Sequence, residues 1–383
     1  MKRNVETPRA GWQATVESQG LEFHSPVGDS GVAETYWNES ASYEFTLAEV
    51  EAIERASGEC FQLCLDAVQH VIDEKRFAEM AIPDEVVPRI VDSWNAEPPS
   101  LYGRFDFSMQ DGMPKMLELN ADTPTSVLEA AVVQWNWKHV VHPELDQYNS
   151  LHEHLVAKWK DVRPSLNGTL LHLAAGPDVE DQWTIAYLAR TGREAGLTTN
   201  QLLVGDIGWN EQAGEFRDMA ERKITTCFKL YPWEWFVCEE IWHQITRSDT
   251  MWIEPIWKMV LSNKGILPIL WELNPEHPNL LPASFDAPTD KMWGWAKKPL
   301  LSREGANVTI RSQDDFVHAS PDLGYGEEGF VFQALAPLPA FDGNHAVVGA
   351  WVVDGEPCGM GIRESDGPIT SNRARFVPHV IRG

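Results

Sequence analysis

The residues best suited to chemistry lie in two short runs, residues 104–110 and 113–120, that alternate polar and apolar side chains. Such alternation is typical of a half-exposed β-strand. The Asp111-Gly112 pair between the runs predicts a tight hairpin turn. Successive side chains of a strand point to opposite faces. The apolar face would comprise Phe105, Phe107, Met109, Leu117 and Leu119. The polar face would comprise Arg104, Asp106, Ser108, Glu118 and Asn120.

A hairpin centred on Gly112 would pair polar residues across the two strands. Asp106 would lie opposite Glu118, and Arg104 opposite Asn120, with Cβ atoms about 4.5–5.5 Å apart. Two carboxylates at this distance repel each other unless a proton or a cation intervenes, so replacing one of them should stabilise the ligand-free protein. Asp, Glu and Asn oxygens are hard ligands suited to Mg²⁺, and a guanidinium beside them suits a phosphate. The pattern predicts a metal–phosphate site, with a solvated polar face as the alternative.

Helical segments are predicted on both sides of this hairpin. The sequence Thr46-Leu-Ala-Glu49 is a capping box that begins a helix reaching to about Phe77. A shorter helical piece begins between Pro83 and Pro88 and ends at Glu97-Pro-Pro99. Further helical patterns cover residues 126–133 and 149–159.

The middle of the chain alternates strand and helix patterns. Such alternation predicts a small α/β domain. Neither Gly-x-Gly-x-x-Gly nor a Walker P-loop occurs, so the two commonest nucleotide fingerprints are missing from the sequence. The predicted elements are a strand from Thr169, a helix over Asp181–Ala195, and strands over Thr199–Val204 and Lys223–Cys227.

The last third of the chain is rich in strands and glycine. Short glycine- and serine-containing loops such as Ser302–Gly305 can offer backbone N–H groups to phosphate oxygens, although most such loops are simple turns. The predicted strands are one containing Trp293 and Trp295 that ends at Pro299, Phe330–Ala334, His345–Val353, and one that closes at Arg363.

Composition favours a globular protein of two or three joined lobes. The 383 residues are 43% hydrophobic and 23% charged, and the net charge is −26. A surface this acidic repels nucleic acid and anionic membranes, so neither is an expected partner. It would attract a cationic substrate such as a polyamine, although an acidic surface also serves solubility alone.

The sequence predicts a reduced, cytoplasmic protein. No run of about 18 apolar residues occurs, so no membrane span is expected. The first residues lack the apolar segment of an export signal. The five cysteines follow neither a Cys-x-x-Cys nor a zinc-site spacing.

Five sequence blocks resemble the synthetase part of the glutathionylspermidine synthetase family of ATP-grasp ligases. The blocks occur in the family order and span most of the chain. They are Arg104–Phe107, Glu118–Thr125, Trp257–Lys264, Lys298–Asn307 and Gly359–Arg363.

The resemblance implies a mixed α/β (α+β) fold of the ATP-grasp type, with a small inserted Rossmann-like pre-ATP-grasp domain. Residues 1–165 would hold N-terminal helices and the metal-binding hairpin, as part of the ATP-grasp core. Residues 166–260 would form a small substrate-side domain, and residues 261–383 the ATP-binding lid and the rest of the core. The amidase domain found in two-domain members is expected to be absent.

The resemblance also implies roles for individual residues. Magnesium ions, expected to be two, would bind Asp106, Glu118 and Asn120. Contacts to ATP would come from Arg104, Asp106, Lys264, Lys298 and the adenine-contacting backbone of Gln333, Ala334, Leu335 and Ala336. Arg104 and Arg363 would stabilise the transferring phosphoryl group. Thr123 and Ser126 are the candidate contacts to a peptide substrate.

The implied function is an ATP-dependent carboxylate–amine ligase that forms an amide through an acyl phosphate. The acid would be glutathione, a related peptide or another small-molecule carboxylate, and the amine spermidine or a similar compound. A second enzymatic interpretation uses a protein or a peptidoglycan-type peptide as the acid. The non-enzymatic alternative is an ATP- or polyamine-binding relic of the ATP-grasp fold. Neither the exact substrates nor the oligomeric state follows from the sequence.

Overall fold

The computed structural model describes residues 1–28, 31–314 and 316–382. The α-helices are α1 (Trp12–Ser18), α2 (Leu47–Asp73), α3 (Val87–Ala96), α4 (Gln134–Val141), α5 (Leu151–Val162), α6 (Val179–Glu194), α7 (Trp233–Phe236), α8 (Ile241–Ile245), α9 (Lys258–Ser262) and α10 (Ile266–Leu273). Short 3₁₀ turns occupy Arg76–Met80, Arg163–Ser165 and Val204–Asp206, and a π-helical turn, Glu129–Val133, leads into α4.

The strands form several sheets. They are β1 (Lys2–Val5), β2 (Ala41–Thr46), β3 (Tyr102–Gln110), β4 (Met113–Asn120), β5 (Leu170–Ala175), β6 (Thr198–Leu203), β7 (Gly208–Asn210), β8 (Glu215–Arg217), β9 (Thr226–Leu230), β10 (Met251–Ile253), β11 (Ala283–Ser284), β12 (Trp295–Pro299), β13 (Thr309–Arg311), β14 (Val317–Ala319), β15 (Phe330–Ala334), β16 (Ala340–Phe341), β17 (Asn344–Val353), β18 (Glu356–Ser365), β19 (Arg375–Val377) and β20 (His379–Arg382).

The central antiparallel sheet has the order β19-β18-β17-β3-β4, with β16 paired to β17. Its β3–β4 hairpin has the predicted register at the polar residues: Asp106 lies opposite Glu118, and Arg104 opposite Asn120. Nearer the turn the register shifts by one residue, so that Phe107 pairs with Met116. The shift is a β-bulge, in which one strand carries an extra residue.

The bulge changes the direction of Leu117. The alternating pattern predicted that Leu117 would share the apolar face with Leu119. Leu119 and Met116 do belong to the core, whereas Leu117 lines the large cavity described below. That part of the prediction is wrong, because the bulge places Leu117 out of step with the alternation.

A parallel sheet of order β10-β9-β5-β6 supports the far side of the cavity. Its strands pair in parallel throughout, and α6 packs against β5 and β6. The predicted alternation of strand and helix is confirmed here, although β9 begins at Thr226 rather than at Lys223, and β10 was not predicted. Buried parallel strands read as continuous apolar runs, which mark their ends poorly.

A third sheet, of order β11-β15-β12-β13-β14, covers the cavity from the C-terminal part of the chain. Strand β15 has the predicted bounds, whereas β12 begins at Trp295 and leaves Trp293 outside. Strand β18 continues to Ser365, so Arg363 lies within the strand rather than at its end. A small sheet of order β1-β2-β20 joins the two ends of the described chain.

The longest helix, α2, begins where the sequence predicts. The Thr46 hydroxyl accepts from the Glu49 N–H, and the Glu49 carboxylate accepts from the Thr46 N–H, which completes the capping box. Ala56, Cys60, Cys64 and Ala67 lie on its buried side. The helix ends at Asp73, four residues before the predicted end, and a 3₁₀ turn follows.

Among the described residues, no helix combines the length and the apolar composition that a membrane crossing requires. The five cysteines are all free thiols, of which Cys238 is exposed and the others are buried.

Candidate active site

A cavity of about 1090 Å³ lies where the three larger sheets meet. Its walls include the polar face of the β3–β4 hairpin, strands β12 and β15, and loops at the carboxyl ends of β5 and β9. The carboxyl ends of parallel strands are a common place for ligand sites in open α/β sheets. The predicted site residues that line the cavity are Arg104, Asp106, Glu118, Asn120, Thr123, Lys264, Lys298, Gln333, Ala334, Leu335, Ala336 and Arg363.

Asp106 is held between two arginines. Arg104 Nε donates to Asp106 Oδ1 at 2.9 Å, and Arg363 Nη2 donates to Asp106 Oδ2. Arg104 lies on the same strand, β3, and Arg363 lies on β18, on the far side of β17 in the same sheet. The predicted repulsion between Asp106 and Glu118 is therefore compensated by these cations, and we now expect that replacing Asp106 would destabilise the protein.

Arg104 also fixes the chain that follows the hairpin. Its Nη1 donates to the Thr125 carbonyl oxygen at 2.8 Å and to Ser126 Oγ at 3.4 Å. Its guanidinium lies 5.8 Å from the centre of the Trp351 ring. Gly349 on β17 makes room for the side chain, because a Cβ atom there would lie 3.0 Å from Arg104 Cδ. The guanidinium is thus locked in position before any ligand binds.

Glu118 is neutralised by two lysines. Lys264 Nζ lies 3.2 Å from Glu118 Oε2 and also donates to the Ser302 carbonyl oxygen at 2.6 Å. Burial favours the neutral carboxylic acid, but the charges of Lys264 and Lys298 outweigh burial and lower the pKa of Glu118 to about 2. Glu118 is therefore an anion throughout the physiological pH range.

Lys298 is positioned by the bulge of the hairpin. Its Nζ donates to the Leu117 carbonyl oxygen at 2.9 Å and to Gln333 Oε1 at 2.7 Å. The Gln333 side chain is in turn held by the Met116 carbonyl oxygen, at 3.0 Å. Burial lowers the pKa of Lys298 to about 8, against the opposing effect of Glu118. A bound anion would favour the protonated, positively charged form of Lys298, which burial disfavours.

The strand end predicted to contact adenine already uses part of its backbone. The Ala334 N–H donates to the Pro282 carbonyl oxygen at 2.7 Å, and the Leu335 N–H to the Gly294 carbonyl oxygen at 2.9 Å. These two donors are occupied within the protein. A base bound here would therefore have to use other backbone groups of this segment.

Arg303 bridges the two halves of the cavity. Its Nη1 donates to Thr123 Oγ1 at 2.7 Å, and its Nη2 to Glu234 Oε1 at 2.6 Å. Its guanidinium also stacks against Trp235, 5.5 Å from the ring centre. Thr123 therefore faces the cavity, whereas Ser126 is buried beside Arg104 and does not line the cavity.

Carboxylates also line the cavity at the start of α6. Partial burial raises the pKa of Glu180, and burial together with the Glu180 charge raises the pKa of Asp181 to about 7. The neighbouring Asp178 and Glu304 add to the same negative field. The cavity thus combines a cationic region beside the hairpin with an acidic cluster at the start of α6.

The comparisons with known proteins identify the family. A family model described as glutathionylspermidine synthase preATP-grasp matches residues 3–382. The chain belongs to the glutathionylspermidine synthase family. This confirms the resemblance carried by the sequence blocks.

Named relatives agree with this family assignment. A Haemophilus influenzae protein provisionally named acid–amine ligase is 41% identical over 372 residues, which cover 94% of each chain. Trypanothione synthetase of Crithidia fasciculata is 28% identical over 344 residues, which cover 82% of this chain and 52% of that protein. The coarse function follows: this chain is an ATP-dependent ligase of the amide-forming class.

A solved structure shares the fold. The apo form of a glutathione synthetase-like effector from Globodera pallida superposes with a TM-score of 0.56 over 97% of this chain and 98% of the other. The sequence identity is 8%, so this likeness concerns the fold alone. The predicted ATP-grasp type of mixed α/β fold is confirmed.

ATP and magnesium are typical of glutathionylspermidine synthases, and the chemistry of the cavity fits both. No cluster of three or more His, Cys, Asp or Glu side chains suited to a metal occurs in the described parts of the chain. Asp106, Glu118 and Asn120 instead offer two carboxylates and an amide oxygen, the kind of incomplete set that Mg²⁺ shares with substrate phosphates. The cations that now neutralise them are the groups that a polyphosphate would attract.

Several residues of the site were not predicted from the sequence. Arg303 lies inside the quoted block Lys298–Asn307, so its position was available, but its partners Thr123 and Glu234 are distant in sequence. Glu180 and Asp181 resemble ordinary acidic residues in the first turn of a helix, which stabilise the helix dipole. Only the meeting of α6 with the hairpin shows that they face a cavity.

Proposed function

We propose that this glutathionylspermidine synthase family member joins a peptide carboxylate to an alkyl amine. The carboxylate oxygen attacks the γ-phosphorus of ATP, which releases ADP and gives an acyl phosphate. The neutral amine then attacks the acyl carbon, the C–O bond to phosphate breaks, and inorganic phosphate leaves. The amine nitrogen loses its excess proton, and the product is an amide. The observation that carries this proposal is that one cavity is lined both by cationic side chains suited to phosphate and by a cluster of carboxylates suited to an amine.

The cationic region beside the hairpin is the proposed ATP site. Lys264, Lys298 and Arg104 would neutralise phosphate oxygens, and the backbone of residues 333–336 would contact adenine. Two Mg²⁺ ions, held by Asp106, Glu118 and Asn120, would supply further charge neutralisation. Phosphoryl transfer needs little more from a protein than such positioning and electrostatic stabilisation.

Arg104 and Arg363 are proposed to stabilise the transferring phosphoryl group. Both donate to the same carboxylate, so their guanidinium groups converge on one side of Asp106. Arg363 Nε is buried without a hydrogen-bond partner, which leaves a donor for a ligand oxygen. Preorganised donors of this kind act where charge develops in the transition state.

The acid and the amine are assigned to the part of the cavity lined by Thr123, Arg303 and the start of α6. Thr123, together with Arg303, is the proposed contact to the carboxylate of glutathione or a related peptide. Ser126 has a different role, because its hydroxyl accepts a hydrogen bond from Arg104. Glu180 and Asp181 are the proposed partners of a polyamine ammonium group. Spermidine and glutathione are the first substrates to test. The free, exposed thiol of Cys238 fits a reducing compartment such as the cytoplasm.

An acid-by-amine matrix tests this function. ADP release and the mass of the product are measured for glutathione, other peptides and a peptidoglycan-type peptide, each with spermidine, other polyamines and monoamines. We expect ADP release only when both an acid and an amine are present, with an amide of the corresponding mass. ADP or ATP binding without turnover for any pair would instead support the non-catalytic relic.

A pair of variants tests whether the amine binds at the carboxylates of the cavity. Glu180→Gln should raise the KM for the amine and leave the KM for ATP unchanged. Asp84→Asn removes a charge from an exposed site outside the cavity and should change neither. An equal effect of both variants on the amine KM would contradict the assignment of the amine to the carboxylates at the start of α6.

A further inference from the structure

A buried tyrosine–glutamate pair forms part of the cavity wall and has no role in the proposed ATP site. Tyr36 lines the cavity, and its hydroxyl donates to Glu129 Oε1 at 2.6 Å. Tyr36 is 7% exposed and Glu129 is 2% exposed. The pair therefore connects the cavity to a carboxylate that solvent does not reach directly.

Glu129 lies at the start of the π-helical turn Glu129–Val133. Single π-helical turns within a helix cost regular hydrogen bonding and are found frequently at functional sites. Here the turn packs against strand β18, which carries Arg363. A local irregularity that buries a carboxylate at this place indicates more than helix packing.

The charges around the pair leave Glu129 able to exchange a proton near neutrality. Burial, and then the Glu180 charge, raise the pKa of Glu129 to about 7, against the hydrogen bond from Tyr36 and the charge of Arg104. Burial, and then the charges of Glu129 and Glu180, raise the pKa of the Tyr36 hydroxyl, while Arg363 opposes them. The folded site thus holds a proton acceptor matched to the pH of the reaction.

The proposed reaction needs such an acceptor. A primary alkyl amine has a pKa near that of lysine, about 10.4, so it enters the cavity as an ammonium ion. Glu180 and Asp181 would favour that charged form, because opposite charges stabilise it. An ammonium nitrogen has no lone pair and cannot attack an acyl carbon, so a proton must leave before the amide bond forms.

We propose that Tyr36 and Glu129 relay this proton. The Tyr36 oxygen accepts a proton from the substrate ammonium group while its own hydroxyl proton passes to Glu129 Oε1. The products of the step are a neutral amine, an unchanged tyrosine and a neutral glutamic acid. After amide formation the proton returns along the same path to the cavity and to solvent. This inference rests on the proposed ligase function and adds to it the residues that activate the amine.

A comparison of two nucleophiles of different basicity distinguishes a proton relay from a purely structural role of Tyr36 and Glu129. Hydroxylamine is a weak base that is mostly neutral at neutral pH, so it needs no deprotonation before it traps an acyl phosphate as a hydroxamate. The assay compares hydroxamate formation with amide formation, using the acid and alkyl amine that give the highest rate in the matrix. The variants are Tyr36→Phe and Glu129→Gln, because glutamine keeps an acceptor for the tyrosine but cannot take up a proton.

We expect both variants to reduce amide formation by at least about 100-fold, the scale of general acid–base catalysis. Hydroxamate formation should remain close to that of the wild type. Tyr187→Phe is the matched control, since Tyr187 is a buried tyrosine whose hydroxyl interacts with His152 outside the cavity. It should change neither reaction.

The wild-type pH profile gives an independent test that needs no variant. Amide formation should fall below a pH of about 7, where Glu129 is already protonated, whereas hydroxamate formation should lack this dependence on Glu129. Equal losses for both nucleophiles in the variants, or a wild-type profile that is the same for both, would overturn the relay. If no pair in the matrix releases ADP, the proposed function itself fails, and the relay fails with it.

Discussion

The alternating pattern of the hairpin predicted a carboxylate, Glu118, as the neighbour of Asp106, whereas the structure also surrounds Asp106 with two arginines. Asp106 accepts hydrogen bonds from Arg104 and Arg363, and its side chain is 7% exposed. We expect Asp106→Asn to abolish ATP turnover and to lower the free energy of unfolding by about 3 kcal/mol, because two arginines lose their counter-ion. Turnover is measured by ADP release and stability by urea unfolding.

The matched control for Asp106→Asn is the same change at Asp111, which is exposed in the turn of the same hairpin. Its backbone φ is 48°, a conformation that asparagine adopts readily. Asp111→Asn should leave both turnover and stability close to wild type. A stable Asp106→Asn protein with normal turnover would refute the metal and phosphate assignment.

A variant of Arg363 distinguishes a role in stabilising the transition state from a role in binding ATP. Lysine would keep the charge but lose the planar fork with which arginine reaches several oxygens at once. We expect Arg363→Lys to lower kcat by about 10³-fold, the lower end of the range for a phosphoryl-transfer arginine. The KM for ATP should change little, because the lost contact belongs to the transition state.

Arg375 provides the comparison for Arg363. It lies on the adjacent strand β19 and pairs with Glu364 and Asp366, outside the cavity. Arg375→Lys should preserve kcat. A rise in the KM for ATP with unchanged kcat in Arg363→Lys would show that Arg363 only binds the nucleotide.

At the scale of elements, the hairpin shows what a sequence pattern determines. The pairing of Asp106 with Glu118 was predicted from a hairpin centred on Gly112. The turn instead pairs Gln110 with Met113, and the bulge adds the one residue that brings Glu118 opposite Asp106. The bulge at Leu117 could not be predicted in this way. At the bulge the Leu117 carbonyl oxygen accepts a hydrogen bond from Lys298, which is distant in sequence, and this contact orients the lysine.

Strand β17 leaves room for the Arg104 side chain because Gly349 has no Cβ atom. Gly349 lies opposite Asp106 on β3, and a Cβ atom at Gly349 would lie 3.0 Å from Arg104 Cδ. Arg104 cannot retreat easily, because Asp106 and the Thr125 carbonyl hold its guanidinium. We expect Gly349→Ala to lower kcat by about 10-fold or more through displacement of the guanidinium, while far-UV circular dichroism stays unchanged.

A glycine outside the cavity tests whether this effect is local. In helix α2 a Cβ atom at Gly58 would make only an ordinary contact, 3.5 Å from Pro357 Cγ. Gly58→Ala should raise the unfolding free energy by about 0.5–1 kcal/mol, since alanine is the better helix former, and should leave kcat alone. Equal kcat values for Gly349→Ala and wild type would show that the position of Arg104 tolerates the shift.

At the scale of the molecule, the cavity depends on contacts that no local pattern contains. Arg363 and Asp106 are separated by 257 positions in the chain, and Arg303 and Thr123 by 180. The family resemblance placed most of these residues in one site because their order is shared, not because their distances can be derived from spacing. Glu180, Asp181 and the Tyr36–Glu129 pair lay outside the recognised blocks, so only the fold reveals them.

The net charge of −26 gives a prediction for the whole protein. An acidic surface should draw a polycation toward the cavity, and this attraction acts through solvent with a Debye length of about 8 Å at physiological salt. The KM for a tri- or tetra-amine should therefore rise as salt is added, while the KM for a monoamine changes less. The kcat for either amine should stay constant, because screening weakens encounter rather than chemistry.

Local and global charge can be separated in the same salt series. Glu180→Gln removes one charge inside the cavity, so it should raise the polyamine KM at every salt concentration without removing the slope. Asp84→Asn removes one exposed charge among many and should leave both the KM and the slope almost unchanged. A flat salt response for a polyamine would show that long-range attraction does not explain the acidic composition. Solubility would then account for the surface charge, and amine selectivity would depend on the few carboxylates at the start of α6.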